Sequence, residues 1–96
     1  MAEDLAQHNP HLPDGRAPLV AFIDGLRAQM PRGRLEIRRI AAGGDLVFTH
    51  SLFTAAPTEP GSVVVDVYRV AGGLIVEHWD VHADVPESTT SGRSVV

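Results

Sequence analysis

No cysteine occurs in the chain, and that absence removes disulfides, thiolate nucleophiles and cysteine-ligated zinc or iron–sulfur centres together. No apolar run approaches the roughly 20 residues that cross a bilayer. The start, Met1-Ala2-Glu3-Asp4, has neither the basic nor the apolar region of a signal peptide. A cytoplasmic protein without membrane contact is the expectation. Concentrated positive charge is also missing: the net charge is −4 at pH 7, and arginines gather only at Arg32, Arg34, Arg38 and Arg39. Nucleic-acid binding needs a larger basic face, whereas four arginines near one strand keep a sheet edge soluble. Any chemistry must use carboxylates, histidines, hydroxyls or a borrowed cofactor.

What is present suits one folded domain spanning residues 1–96. Hydrophobic residues make up 44% of the chain, too many for a disordered segment, and the length allows a single modest core that a partner chain would help to cover. Pro10, Pro13 and Gly15 surround Gln7-His8-Asn9-Pro10-His11, a structured turn, with Asp14 placed to assist a helix cap. From Pro18, Leu19, Phe22, Ile23, Leu26 and Met30 follow helical spacing until Pro31 stops the run, which predicts one amphipathic helix with one buried stripe. Leu35–Ala42, Asp45–Ala55, Ser62–Ala71 and Leu74–Asp84 read as four strands, broken by Gly43-Gly44, a Pro57-to-Gly61 loop and Gly72-Gly73. Short connections imply an antiparallel meander, and residues 85–96 read as a flexible or wrapping tail. The predicted class is α+β, one helix on a curved four-stranded sheet.

Two strands carry the candidate chemistry. Asp66 interrupts the apolar run Val63 to Val70, and a carboxylate there must be paired, hydrogen-bonded or protonated to offset desolvation. It is therefore either functional or part of a structural network. On the last strand Val76, His78, Asp80 and His82 share one face, and Ile75, Glu77, Trp79 and Val81 the other. Apolarity alone turns Trp79 to the core and the histidines to water. Yet the two-glycine hairpin places this strand beside Asp66, opposite Glu77 or His78 by counting, and a bulge would change the register. If Asp66, His78 and Asp80 converge, one carboxylate can donate a proton and another accept one, the arrangement for enolisation. Metal binding is not expected: His78 and His82 stand about 13 Å apart on a strand, and a set drawn from His78, Asp80 and a distant His8 or His50 has no supporting spacing. His50, flanked by apolar residues, reads first as a hydrogen-bonded core or interface residue. No turn signature supports a serine nucleophile.

Three segments together resemble the SnoaL-like polyketide cyclases of the NTF2-like superfamily: Gln7-His8-Asn9-Pro10, Ala42-Gly43-Gly44-Asp45-Leu46-Val47, and Val65-Asp66-Val67-Tyr68-Arg69-Val70 running on to Ile75-Val76-Glu77-His78-Trp79-Asp80-Val81. The resemblance implies a cone-shaped α+β fold with an apolar pocket, a homodimer formed through the outer sheet face, and cofactor- and metal-independent aldol condensation or isomerisation of a small hydrophobic carbonyl compound. It implies Asp80 as the acid/base, Asp66 and His78 as its partners, and Gln7 and Asn9 as the polar pair at the pocket wall; His50 and Tyr68 are further candidate substrate contacts. It also turns His78 and Asp80 into the cavity and Trp79 outward. Relatives carry one or two helices before the Gln-His-Asn-Pro segment, so an open pocket covered by a partner chain, a swapped element or the tail is expected. The same fold also serves as a non-catalytic dimeric binding domain.

Overall fold

The computed structural model describes residues 1–96. In chain order the elements are β1 (Ala6–Gln7), α1 (Arg16–Gln29), β2 (Arg34–Gly43), β3 (Leu46–Thr54), β4 (Ser62–Ala71) and β5 (Leu74–Asp84). They form one sheet in the order β1-β5-β4-β3-β2. The four long strands make the expected antiparallel meander, and β1 adds a fifth, parallel to β5 through Ala6↔Glu77 and Gln7↔His78. Two residues carry no readable periodicity, which is why that segment reads as a turn in the sequence. No helix is long and apolar enough to cross a membrane.

Glycine shapes both tight hairpins. Gly72 and Gly73 both have positive φ between the paired Ala71 and Leu74, as a two-residue turn matching the strand twist requires. Gly44 alone does so between Gly43 and Leu46. Each outer hairpin also contains an irregularity: Arg38 is left over between Ile37↔Ser51 and Arg39↔His50, and Val76 between Arg69↔Glu77 and Val70↔Ile75. One extra residue bends a strand and reverses the facing of everything beyond it.

Pairing sorts the sheet into two faces. Ile37, Thr49, Ser51, Val64, Asp66, Tyr68, His78, Asp80 and His82 share the inner face, while Phe48, His50, Val65, Val67, Trp79 and Val81 share the outer one. The helix meets the inner face at one end, where Ile23, Leu26 and Met30 enclose a cavity of about 310 Å³ with Leu35 and Phe53. The expected buried stripe is only half covered. No helical residue is buried, Leu19 and Leu26 reach intermediate burial, and Phe22 remains 44% exposed. Asp14 does not cap the helix either. Gly15 holds the N-cap position, and Asp14 Oδ1 instead accepts from the Gln7 backbone N–H at 2.9 Å.

On the outer face Trp79 stacks on His8 with ring centroids 4.7 Å apart. Arg69 lies over the same indole and bonds Glu77 and Asp45. The apolarity-based reading that sends Trp79 and Val81 to the core is therefore reversed, and Val81 is 69% exposed.

Gly61, at φ 84°, closes the β3–β4 loop so tightly that a methyl group would strike the Phe53 carbonyl oxygen and the Thr54 and Leu52 side chains. Gly61→Ala is expected to destabilise the fold by about 2 kcal/mol or more. Gly72→Ala, with open space around it, should cost only the left-handed backbone penalty of about 1 kcal/mol. Urea unfolding of the two variants checks the difference.

Candidate functional site

The unpaired Val76 sets the site's register. The sequence count expects Asp66 opposite Glu77 or His78; the pairing Val70↔Ile75 continued without a break would set it against Trp79, and the one-residue bulge moves it on to Asp80, with Tyr68 opposite His78 and Val64 opposite His82. Two carboxylates thereby face each other on neighbouring strands of the inner face. His78 and Asp66 are both buried, at 6% and 8% exposure. Thr49 and Ser51 of β3 join them.

β1 supplies the remaining parts, because its parallel pairing brings Gln7 alongside His78. The backbone N–H of Asn9 donates to Gln7 Oε1 at 3.0 Å, which identifies that atom as the amide oxygen. The same oxygen lies 2.8 Å from His78 Nδ1, so Nδ1 carries a hydrogen. His78 Nε2 lies 2.8 Å from Asp66 Oδ1. The ring is thereby clamped between an amide of β1 and a carboxylate of β4.

Asp80 is held separately. Asn9 Oδ1 accepts from the His11 backbone N–H at 2.8 Å, which turns Asn9 Nδ2 toward Asp80, 3.0 and 2.8 Å from its two oxygens. His82 Nε2 lies 3.2 Å from Oδ2. Tyr68 stacks on His78 at 5.1 Å and lies beside Thr49 of β3. Burial pushes its phenol up to about 12, helped by the negative charges of Asp66 and Asp80 and opposed by the Thr49 contact. The chain has no lysine, and Arg69 is engaged by Glu77 and Asp45. Imidazoles are therefore the partners that the inner carboxylates find.

The structure thus brings together Asp66, His78, Asp80, Gln7, Asn9 and Tyr68 but not His50. His50 is paired with Val65 on the outer face, its Nδ1 2.9 Å from Arg39 Nη1. Odd and even positions on β3 decide this: Thr49 and Ser51 point inward, so His50 points out. The contributions of Thr49 and Ser51 escaped the sequence reading because the Pro57-to-Gly61 loop hides the β3–β4 register. Ligand spacing in sequence likewise missed one grouping. Ligand atoms of Asp66, His78 and Asp80 all lie within 4.8 Å of one another. His8, weighed earlier as a distant ligand, instead bonds Glu77 at 2.7 Å on the outer face.

The pattern of the SnoaL-like domain family matches residues 1–78. No curated protein matches in sequence. Several solved structures share the fold. IdmH, a candidate polyketide cyclase from Streptomyces antibioticus, is 22% identical with a TM-score of 0.68, over 85% of this chain and 74% of that one. A candidate polyketide cyclase from Bacillus cereus is 23% identical with a TM-score of 0.71, over 85% of this chain and 58% of that one. A candidate isomerase of the SnoaL-like family from Agrobacterium tumefaciens is 17% identical with a TM-score of 0.71, over 85% and 73%. At these identities the likeness is one of fold.

Tyr68 is the chain's one tyrosine, so its ionisation can be read without ambiguity. A raised phenol binds its proton more tightly when folded, so its stabilising share is complete below the unfolded value near 10 and is lost as pH climbs toward 12. Ultraviolet titration should find the native phenol ionising near 12, and urea midpoints should fall above about pH 10. Tyr68→Phe should flatten that fall.

Proposed function

This chain belongs to the SnoaL-like domain family, and from that premise we propose that it is an acid–base enzyme of the cyclase or isomerase type, acting on a small apolar carbonyl compound. The observation that carries the reading is the register pair Asp66↔Asp80, which sets a carboxylate held by Asn9 beside a hydrogen-bonded Asp66–His78 pair on one sheet face. Asp80 takes a proton from the carbon next to the substrate carbonyl. The electron pair moves onto the carbonyl oxygen as an enolate, and the Asp66–His78 pair lends its proton to that oxygen. In a cyclase the enol carbon then attacks a second carbonyl of the same molecule, the first oxygen returns its proton to the Asp66–His78 pair as its carbonyl re-forms, and the new alkoxide takes up the proton held by Asp80; in an isomerase that proton returns at another carbon.

The amides of Gln7 and Asn9, expected to bind the enolate oxygen, already hold His78 and Asp80. Their role in this reading is to position those groups. Tyr68, kept as the neutral phenol at ordinary pH, is the remaining donor for substrate oxygen. The cavity lined by Ile23, Leu26, Met30, Leu35 and Phe53 opens on the same inner face, about four residues or 13 Å along β3 from Thr49. It suits the apolar body of the substrate.

That this apolar cavity contains none of the three acid–base residues favours a second reading, a non-catalytic dimeric domain that binds a small hydrophobic molecule or another protein. Deuterium exchange at the activated carbon of simple 1,3-diketones, followed by proton NMR, separates the two. The enzyme reading expects wild-type acceleration that Asp80→Asn reduces about 10²–10⁴-fold, with folding confirmed by circular dichroism. Equal rates for the two proteins would refute it, and binding of an apolar fluorophore without any exchange would support the binding domain.

A further inference from the structure

We propose that His8 is a positioning residue for the acid–base site: clamped on the outer sheet face, it fixes the neighbouring amides, Gln7 and Asn9, that hold His78 and Asp80 on the inner face. This deepens the acid–base reading and rests on it for the catalytic consequence alone. Successive side chains of an extended segment point to opposite sides of a sheet. The step from Gln7 through His8 to Asn9 therefore passes from the inner face to the outer and back. Gln7 Oε1 lies 2.8 Å from His78 Nδ1, and Asn9 Nδ2 lies 3.0 and 2.8 Å from the two oxygens of Asp80. Between them, His8 Nε2 lies 2.7 Å from Glu77 Oε2, and the His8 ring lies flat on Trp79, with centroids 4.7 Å and planes 6° apart. Three consecutive residues thus hold the run Glu77 to Asp80 of β5 from both sides.

The outer clamp is built more firmly than an exposed ion pair alone. Aromatic stacking adds to it, and Glu77 is itself held. Arg69 Nε donates to Glu77 Oε1 at 3.0 Å, while Arg69 Nη1 donates to Asp45 at 2.7 Å and the guanidinium lies 5.7 Å from the centre of the same indole. The hydrogen bonds from His8 and then Arg69 hold the Glu77 carboxyl below the usual carboxylate range, so it stays an ionised acceptor for both. The backbone does not make the clamp redundant. Its bonding to β5 ends where the His8 N–H donates to His78 O at 2.9 Å, and the next N–H, of Asn9, turns back to Gln7 Oε1. Past that point the segment is held to β5 by side chains, and His8 is the one that anchors it from outside the site.

NMR of the full chain tests this. The side-chain amides of Gln7 and Asn9 report the inner face, and the fluorescence of Trp79, the chain's one tryptophan, reports the outer. His8→Ala should speed hydrogen exchange of the residue-8 backbone N–H about tenfold, move both amide signals toward those of solvent-exposed amides, and change the Trp79 emission. His8→Phe keeps the stack without the Glu77 bond; it should move the same amide signals less far, and it decides the matter if His8→Ala does not fold. Val64→Ala removes buried packing on β4 and weakens the whole fold, yet should leave both amide signals in place. In the diketone exchange assay His8→Phe should lower kcat about tenfold with KM little changed. Amide signals unmoved in both His8 variants, equal movement in Val64→Ala, or displaced amides with a wild-type kcat would overturn the proposal. A wild type without exchange activity would instead refute the acid–base reading, while displaced amides in the His8 variants would still establish the positioning.

Discussion

Val76 has no partner on β4, and the identity of the inner face depends on that one residue. Without the bulge the hairpin from Gly72-Gly73 would continue the pairing Val70↔Ile75 inward and set Trp79 against Asp66. With it, every side chain of β5 beyond Val76 changes face relative to β4. Trp79 goes out to stack on His8, and His78, Asp80 and His82 come in. A sheet of this size could have buried indole, isoleucine and valine there. It buries Asp66 and His78 and half-buries Asp80 instead.

That exchange is costly unless each polar atom finds a partner. Of the six buried residues, four are Thr49, Ser51, Asp66 and His78, so the centre of the fold is a polar network with little apolar packing. The network is completed from the start of the chain. Ala2 N–H donates to Ile75 O and His8 N–H to His78 O, pinning this segment along β5. Fully buried Leu5 anchors it and accepts from Gly15 N–H at the helix start. Gln7 and Asn9 then reach His78 and Asp80 from fixed backbone. The two-residue β1 matters less as a strand than as the rail on which those amides are carried.

The periodic part of this architecture was legible in the sequence. Glycine pairs and β-branched runs located four strands to within one residue at each end, and the helix, expected from Pro18 until Pro31 stops it, begins two residues earlier at Arg16 and ends at Gln29, with Pro18 inside its first turn. The unread parts were those that periodicity cannot encode. Val76 resembles any other valine on a strand, so the register of Asp66 stayed open until the resemblance favoured an inward Asp80. His50 has apolar neighbours whichever way it faces, and its outward turn follows only from β3–β4 pairing through a loop of unreadable geometry. The helix has the right spacing for a buried stripe, yet Phe22 and Ile23 stay 40% or more exposed. Amphipathic pattern records which face can be covered, and the surrounding chain decides whether it is.

Charge balance ties the polar centre together. The inner face holds Asp66 and Asp80 with no lysine available and Arg69 engaged by Glu77 and Asp45. Their partners are instead amides and imidazoles: His78 stands between Gln7 Oε1 and Asp66 Oδ1, and Asn9 and His82 flank Asp80. Tyr68 feels both carboxylates and keeps its own proton far past neutral pH. A carboxylate fixed by Asn9, a hydrogen-bonded Asp66–His78 pair on the neighbouring positions and a neutral phenol thus occupy one sheet face, each held in place by a different element of the fold.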